Sequence, residues 1–113
     1  MNNRNNRTEQ GLSNQVMNFL AVKGILHYRV RNTGTVVHKR GGGLAFGRDR
    51  YAITQRGAPD ILAWHGGKSY AFELKSSTGR VRPEQSAWLE TFISHGGIGK
   101  VVRSLDEVME FFP

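Results

Sequence analysis

The chain lacks several features, and each absence excludes a class of protein. None of its 113 residues is a cysteine, so neither a disulfide framework nor a thiolate metal site can form. The amino-terminal sequence MNNRNNR lacks the apolar core of a signal peptide, and no hydrophobic run reaches membrane-spanning length. We therefore expect a soluble, intracellular (cytoplasmic) protein with no membrane partner.

Acidic residues are scarce relative to basic ones. Lys and Arg number 16 and Asp and Glu number 9, which gives a formal net charge of +7. Such an excess favours a polyanionic partner, most often nucleic acid. On charge alone, a basic protein without a specific partner and a ribosome-associated protein stay open as alternatives.

Two familiar binding patterns are also missing. The glycine-rich segments at residues 41–47 and 96–99 both lack the G-x-x-x-x-G-K-[ST] pattern, so we expect no nucleotide cofactor. The four histidines, at positions 27, 38, 65 and 95, show no metal-ligand spacing. The absence of cysteine and of this histidine spacing favours oxygen ligands for any metal site.

The length allows one domain with a single core. We expect residues 1–7, rich in Asn and Arg, to be disordered, and residues 8–113 to form the domain. Thr8 is a suitable N-cap for a first helix that Gly24 ends. Four apolar residues at helical spacing form the inward stripe of that helix: Leu12, Val16, Phe19 and Leu20.

The most informative stretch is GAPDILAWHGGKSYAFELK, residues 57–75, which predicts a β-hairpin. Its two strands, Ile61–His65 and Ser69–Leu74, flank Gly66-Gly67, a pair suited to the positive φ angles of a tight turn. If these glycines are the two central turn residues, the strands pair from His65 opposite Lys68 to Ile61 opposite Phe72.

The next pair in this register places Asp60 opposite Glu73, with Lys75 on the same face as Glu73. Two opposed carboxylates destabilise a sheet unless a cation lies between them. A divalent metal held by oxygens, with Lys75 beside it, meets that need. The alternative is that these are ordinary solvated charges at the ends of strands.

The remaining patterns alternate between strands and helices. Extended runs at Ile25–Asn32 and Lys100–Arg103 predict strands, and Pro83 suits the first position of a second helix. The inward stripe of this helix comprises Gln85, Trp88, Leu89 and Phe92. Residues 104–107 (SLDE) indicate a capping box before a last helix with an apolar face of Leu105, Val108, Met109 and Phe112.

Several of these segments together resemble a known family. Pro59-Asp60 and Glu73-Leu74-Lys75 match the signature of the PD-(D/E)XK nucleases, and residues 79–88 (GRVRPEQSAW) are similar to the segment that follows it in the VRR-NUC family. Residues 31–34 (RNTG) also resemble the first strand and turn of that family. The ordered set spans about three quarters of the chain, whose short length is similar to that of the standalone phage and bacterial members.

The resemblance implies an α/β fold with a restriction-endonuclease-like core, a mixed central sheet flanked by helices. It implies four catalytic residues: Asp60, Glu73, Lys75 and Gln85. It also implies a metal site formed by Asp60, Glu73, the carbonyl of Leu74 and Glu9. Oxygen ligands favour Mg²⁺, with Mn²⁺ as a substitute.

Two of these assignments have alternatives. Glu9 suits the first turn of a helix, where the helix dipole favours an acid without any metal. Gln85 falls at a helix start on the face towards the sheet, so it needs a partner. That partner is either a backbone group or the active site.

Basic residues near the predicted site suggest contacts with DNA. Lys39 and Arg40 precede a glycine-rich segment, and Arg80 and Arg82 precede the second helix; solvated loop charges are the alternative. The resemblance implies a structure-selective DNA endonuclease, a homodimer able to cut four-way (Holliday) junctions. The alternatives are a flap or duplex nuclease or nickase, and a catalytically inert basic DNA-binding module.

Overall fold

The computed structural model describes residues 8–30 and 56–113. These ranges contain three helices and four strands: α1 (Glu9–Val22), β1 (Leu26–Arg29), β2 (Ile61–His65), β3 (Lys68–Leu74), α2 (Pro83–Ser94), β4 (Ile98–Val102) and α3 (Leu105–Met109). The predictions for residues 1–7 and for residues 31–55, including Lys39 and Arg40, lie outside the described residues. No helix in the described ranges is long and apolar enough to cross a membrane.

The four strands form one mixed sheet in the order β1-β2-β3-β4. The pairs β1–β2 and β2–β3 are antiparallel, whereas β3–β4 is parallel. Strands β2 and β3 pair in the predicted register, from His65 opposite Lys68 to Ile61 opposite Phe72. Gly66 and Gly67 both have positive φ angles, 61° and 80°, as the tight turn requires. The predicted mixed α/β fold is therefore confirmed.

Strand β4 begins earlier than predicted. The sequence predicted a strand from Lys100, but Ile98 already pairs with Tyr70 and Gly99 with Ala71. The strand can start there because glycine leaves room under α2: a Cβ on Gly97 would lie 2.2 Å from the Phe92 ring. Close packing of α2 on the sheet therefore decided this boundary.

The core lies between the sheet and two of the helices. Alternate residues of β3, Tyr70, Phe72 and Leu74, face the buried stripe of α1 and the carboxyl-terminal segment. The core residues from the helical side include Leu12, Val16 and Leu20 of α1, with Val108 and Phe112. Helix α2 contacts β3 and β4 instead. Because side chains alternate along β3, Glu73 points away from this core and towards α2.

The helix ends follow the predicted signals with one exception. The Thr8 hydroxyl accepts a hydrogen bond from Gly11 N–H at 2.9 Å, as expected of an N-cap. The predicted capping box at Ser104 is wrong, because the Ser104 side chain makes no capping bond and Glu107 accepts from Arg103 N–H at 2.8 Å.

The apolar face predicted for the last helix is also only partly correct. Val108 and Phe112 are buried, although Phe112 lies beyond the end of α3. Met109 is 40% exposed. The helix ends at Met109, so the turn that follows it, and not helical spacing, brings Phe112 into the core.

Candidate active site

Asp60 and Glu73 meet at the end of the sheet where β2 begins and β3 ends. Asp60 Oδ2 accepts a hydrogen bond from Leu74 N–H at 2.7 Å. Asp60 N–H donates to the carbonyl of Phe72 at 3.1 Å, so regular pairing stops one residue before the predicted Asp60–Glu73 pair. The carboxyl of Asp60 thus turns across the end of β3.

Glu73 is buried among polar groups that face α2. Its side chain is almost fully enclosed, with the residue 2% exposed. Its Oε2 accepts a hydrogen bond from Gln85 Nε2 at 2.8 Å and lies 3.6 Å from Lys75 Nζ. Its Oε1 is buried and has no hydrogen-bond partner among the described residues. One lone-pair site of a buried carboxyl is therefore free to bind a cation.

Both carboxyls have pKa values above the ordinary ones, and the charge of Asp60 disfavours the ionisation of Glu73. Burial raises the pKa of Glu73 to about 8, with a further contribution from the charge of Asp60 and an opposing one from Lys75. Burial also raises the pKa of Asp60, although the hydrogen bond from Leu74 N–H acts in the opposite direction. One ammonium does not offset two carboxylates in this environment, so an added cation would stabilise their ionised forms.

Lys75 is positioned by the sheet and enclosed by its neighbours. Its backbone N–H donates to the carbonyl of Val102 at 3.0 Å, which continues the pairing of β3 with β4 by one residue. The residue is only 6% exposed, and its ammonium forms an ion pair with Glu73. An enclosed lysine beside a carboxyl with a raised pKa makes this end of the sheet a candidate functional site.

The sequence left open whether Gln85 bonds to a backbone group or to the active site, and the structure shows that it bonds to both. It lies in the first turn of α2, where Pro83 occupies the predicted first position. Its Oε1 accepts from Arg82 N–H at 2.9 Å, and its Nε2 donates to Glu73 Oε2. Both ends of the amide are therefore bonded, and the side chain links the helix start to the buried carboxyl.

Glu9 lies at the start of α1, but its side chain is exposed rather than part of the inward stripe. Its charge nevertheless raises the pKa of both Asp60 and Glu73. No three His, Asp or Glu side chains of the described ranges converge closely enough to form a metal cluster. The roles of Glu9 and of the Leu74 carbonyl as metal ligands stay predictions.

The basic residues predicted to bind DNA divide into two groups. Arg80 and Arg82 are exposed between β3 and α2, close in sequence to Lys75 and Gln85. Lys39 and Arg40 fall in the part of the chain that the structure does not describe. One further basic residue was not singled out from the sequence: Arg103 donates to the carbonyls of Ser76 and Gly79. Its position at the end of the predicted strand Lys100–Arg103 was the only sequence signal.

This arrangement defines a class of protein. A four-stranded mixed sheet flanked by helices, with two carboxyls and a lysine at one end, is consistent with a restriction-endonuclease-like nuclease domain. The family model for the VRR-NUC domain matches residues 5–106, nearly the whole chain. The chain therefore belongs to the VRR-NUC family, which confirms the resemblance seen in its motifs and implies a nuclease that acts on DNA.

Comparison with curated proteins gave no match, and comparison with solved structures gave none either.

Proposed function

We propose that this protein is a metal-dependent DNA endonuclease that hydrolyses phosphodiester bonds at the junction of β2, β3 and α2. The observation that carries the proposal is the buried carboxyl of Glu73. One of its oxygens has no hydrogen-bond partner among the described residues, the other forms an ion pair with Lys75, and the charge of Asp60 adds to its raised pKa. Burying such a group costs free energy unless something compensates for it. Proteins retain such destabilising groups at sites that have a chemical function.

The residues fit a hard divalent cation. Asp60 and Glu73 supply carboxylate oxygens. Burial raises the pKa of each, and neighbouring negative charge raises it further. Mg²⁺ keeps several waters and needs only one or two carboxylates plus phosphate oxygens, so a site without a third acid is adequate. Mn²⁺ is the expected substitute. The Leu74 carbonyl and Glu9 are the candidate additional ligands.

The protein's own residues then have distinct tasks. When bound, Mg²⁺ neutralises phosphate charge and makes water a better nucleophile. Lys75 holds the attacking water and stabilises negative charge that develops on the phosphate, because its ammonium lies at the site with little exposure to solvent. Gln85 orients Glu73, since both ends of its amide are already bonded.

For the substrate we propose branched DNA, cut by a homodimer. The support is the family resemblance and the net charge of +7, together with Arg80 and Arg82 beside the site. Symmetric cleavage of a four-way junction requires two active sites related by symmetry, which a homodimer supplies. Cleavage of flaps or plain duplex, and DNA binding without cleavage, are the competing outcomes of the experiment.

The experiment measures cleavage of end-labelled four-way junction, flap and linear duplex with Mg²⁺, with Mn²⁺ and with a chelator. Wild type is compared with Asp60→Ala and Lys75→Ala. Lys68→Ala is the matched control, because Lys68 lies on the same strand as the site but at its opposite, exposed end. We expect paired nicks in the junction from wild type and Lys68→Ala. The other two variants, and wild type without metal, should cut about 10³-fold more slowly, which leaves a measurable residual rate.

Two other results would change the proposal. Efficient cutting of flap or duplex with an intact junction would replace the substrate but keep the chemistry. Binding of all three DNAs without metal-dependent cleavage would leave a DNA-binding module and remove the enzyme.

A further inference from the structure

Arg103, the residue directly after β4, connects that strand to the segment that leaves β3. Its Nη1 donates to the carbonyl oxygen of Ser76 and to that of Gly79, both at 2.8 Å. Hydrogen bonds from a charged donor are stronger than those between neutral groups. No carboxylate among the described residues forms an ion pair with this guanidinium. Within those ranges its partners are therefore the two carbonyls.

The segment that Arg103 holds folds back on itself. Gly79 N–H donates to the Ser76 carbonyl at 3.2 Å, which closes a β-turn over residues 76–79. The turn lies against the stem of Lys75: a Cβ added to Gly79 would be 3.5 Å from Lys75 Cδ. The turn is thus part of what encloses the Lys75 side chain.

Arg103 also has a fixed position relative to Lys75. The Lys75 N–H bonds to the carbonyl of Val102, the residue just before Arg103. The backbone N–H of Arg103 donates to Glu107 Oε1 at 2.8 Å, which holds its main chain at the start of α3. The end of β4 therefore holds the backbone of Lys75 and, through Arg103, the turn that covers its side chain.

We propose that Arg103 is a positioning residue of the active site: it holds the 76–79 turn against Lys75 and thereby keeps the Lys75 ammonium beside Glu73. A lysine has a long flexible stem, and restricting it before substrate binds removes an entropic cost from the reaction. This inference rests on the proposed function, because the position of the ammonium determines a rate only if Lys75 takes part in cleavage.

The first test uses Arg103→Met, which keeps a long apolar stem but removes every side-chain donor, and Arg103→Lys, which keeps a charge and a side-chain donor. Lys100→Met is the control, since Lys100 is an exposed cation on the same strand. We expect Arg103→Met to lower kcat about 10- to 100-fold. Its KM and its metal-free Kd for DNA should stay within about twofold of wild type. Arg103→Lys should recover part of the loss, and Lys100→Met should retain kcat.

A double-mutant cycle then asks whether Arg103 acts through Lys75. In a Lys75→Met background, Arg103→Met should lower the residual rate by less than about twofold, because the group that it positions is already absent. An equal fold loss in both backgrounds would overturn the inference. A tenfold weaker Kd for DNA with unchanged kcat would overturn it as well and would indicate a direct phosphate contact.

A further readout does not depend on catalysis. The acylation rates of Lys75 and Lys100 by an amine-reactive reagent are measured by peptide mass spectrometry. We expect Arg103→Met to raise the ratio of the Lys75 rate to the Lys100 rate about tenfold, since the loosened turn exposes the amine. An unchanged ratio would overturn the inference. If Arg103→Met does not fold, Arg103→Lys should show a severalfold increase in the ratio of the Lys75 rate to the Lys100 rate.

The acylation result also separates the two proposals. If the wild-type protein cuts no DNA but the ratio rises, the nuclease proposal fails while the structural link from Arg103 to Lys75 stands. If DNA is cut and the ratio stays constant, the nuclease proposal stands and the role of Arg103 fails.

Discussion

The two ends of strand β3 carry similar residue types in different environments. At the hairpin end, Lys68 and its partner His65 are exposed. At the other end, Glu73 and Lys75 are 2% and 6% exposed. Both ends therefore have a lysine next to a second ionisable residue, but only one end holds them away from water.

The difference arises from what covers each end. The hairpin turn is formed by Gly66 and Gly67, where an added Cβ would meet no atom, and the residues around it stay in solvent. The site end is covered by the start of α2 through Gln85 and by the 76–79 turn through Arg103. Burial raises the pKa of Glu73, whereas an exposed charge is screened by water. Enclosure therefore distinguishes the candidate site from the hairpin end.

Of the changes that test this comparison between the two ends of β3, removal of the metal should have the largest effect. We expect chelation to reduce DNA cleavage about 10³-fold, because the phosphate charge then lacks its main compensation. Titration calorimetry should detect Mg²⁺ binding to wild type and to Lys68→Gln, but at least about tenfold weaker binding to Glu73→Gln. Equal affinity in all three proteins would show that the metal does not bind at the buried end.

The next effect concerns the link from α2 to Glu73. Gln85→Leu removes the hydrogen bond at 2.8 Å to Glu73 and the bond to Arg82 N–H. We expect kcat to fall about 10- to 100-fold with a smaller change in KM, because the carboxyl loses its fixed orientation. Ser86→Ala, on an exposed neighbour in α2, is the control for general damage to the helix. A variant as active as wild type would contradict the assigned role.

A moderate effect is expected on stability in the absence of metal. The folded protein keeps the proton of Glu73 to about pH 8, whereas the unfolded chain loses it near 4.5. This group therefore favours folding fully below pH 4.5, and the contribution is lost as pH rises towards 8. Glu73→Gln should thus melt about 5 °C higher than wild type at pH 8, with a smaller difference at pH 5.

Thermal melts at both pH values, with a chelator present, measure this difference. Glu90→Gln, at an exposed position of α2, is the matched control and should not reproduce the pattern. A Glu73→Gln variant that is less stable than wild type at pH 8 would mean that the buried carboxyl is compensated within the protein.

The smallest effect concerns the exposed arginines. We expect Arg80→Gln and Arg82→Gln each to weaken metal-free DNA binding severalfold and to reduce the slope of log K against log salt by about one. Lys68→Gln should change neither quantity, because it lies at the opposite end of the sheet. Fluorescence anisotropy over a series of salt concentrations measures both, and an unchanged slope for the arginine variants would remove them from the interface.

The hairpin was predictable because its determinants are local. Gly66-Gly67 specifies the turn, and the alternation of apolar residues specifies the register, so the register of Ile61 and Phe72 followed directly. The same register brought Asp60 near Glu73, although the Asp60 carboxyl turns towards Leu74 N–H instead of completing a regular pair. An irregular strand end of this kind has no sequence signal.

Other features depended on contacts between distant segments. Arg103 reaches Ser76 and Gly79 across 27 and 24 residues, a separation over which no periodicity operates. The start of β4 depended on the packing of α2 over Gly97, and the exposure of Glu9 on how α1 lies against the sheet. Such arrangements follow from packing, which a single sequence does not encode in a readable pattern.

The sequence by itself determined the class of the protein, its hairpin register and the identity of the groups near Glu73, because turn chemistry and side-chain alternation act over a few residues. The tertiary structure decided which of those groups are buried and which atoms they bond. Burial requires elements far apart in the chain to pack together. That packing encloses Lys75 and, by removing water from Glu73, raises its pKa.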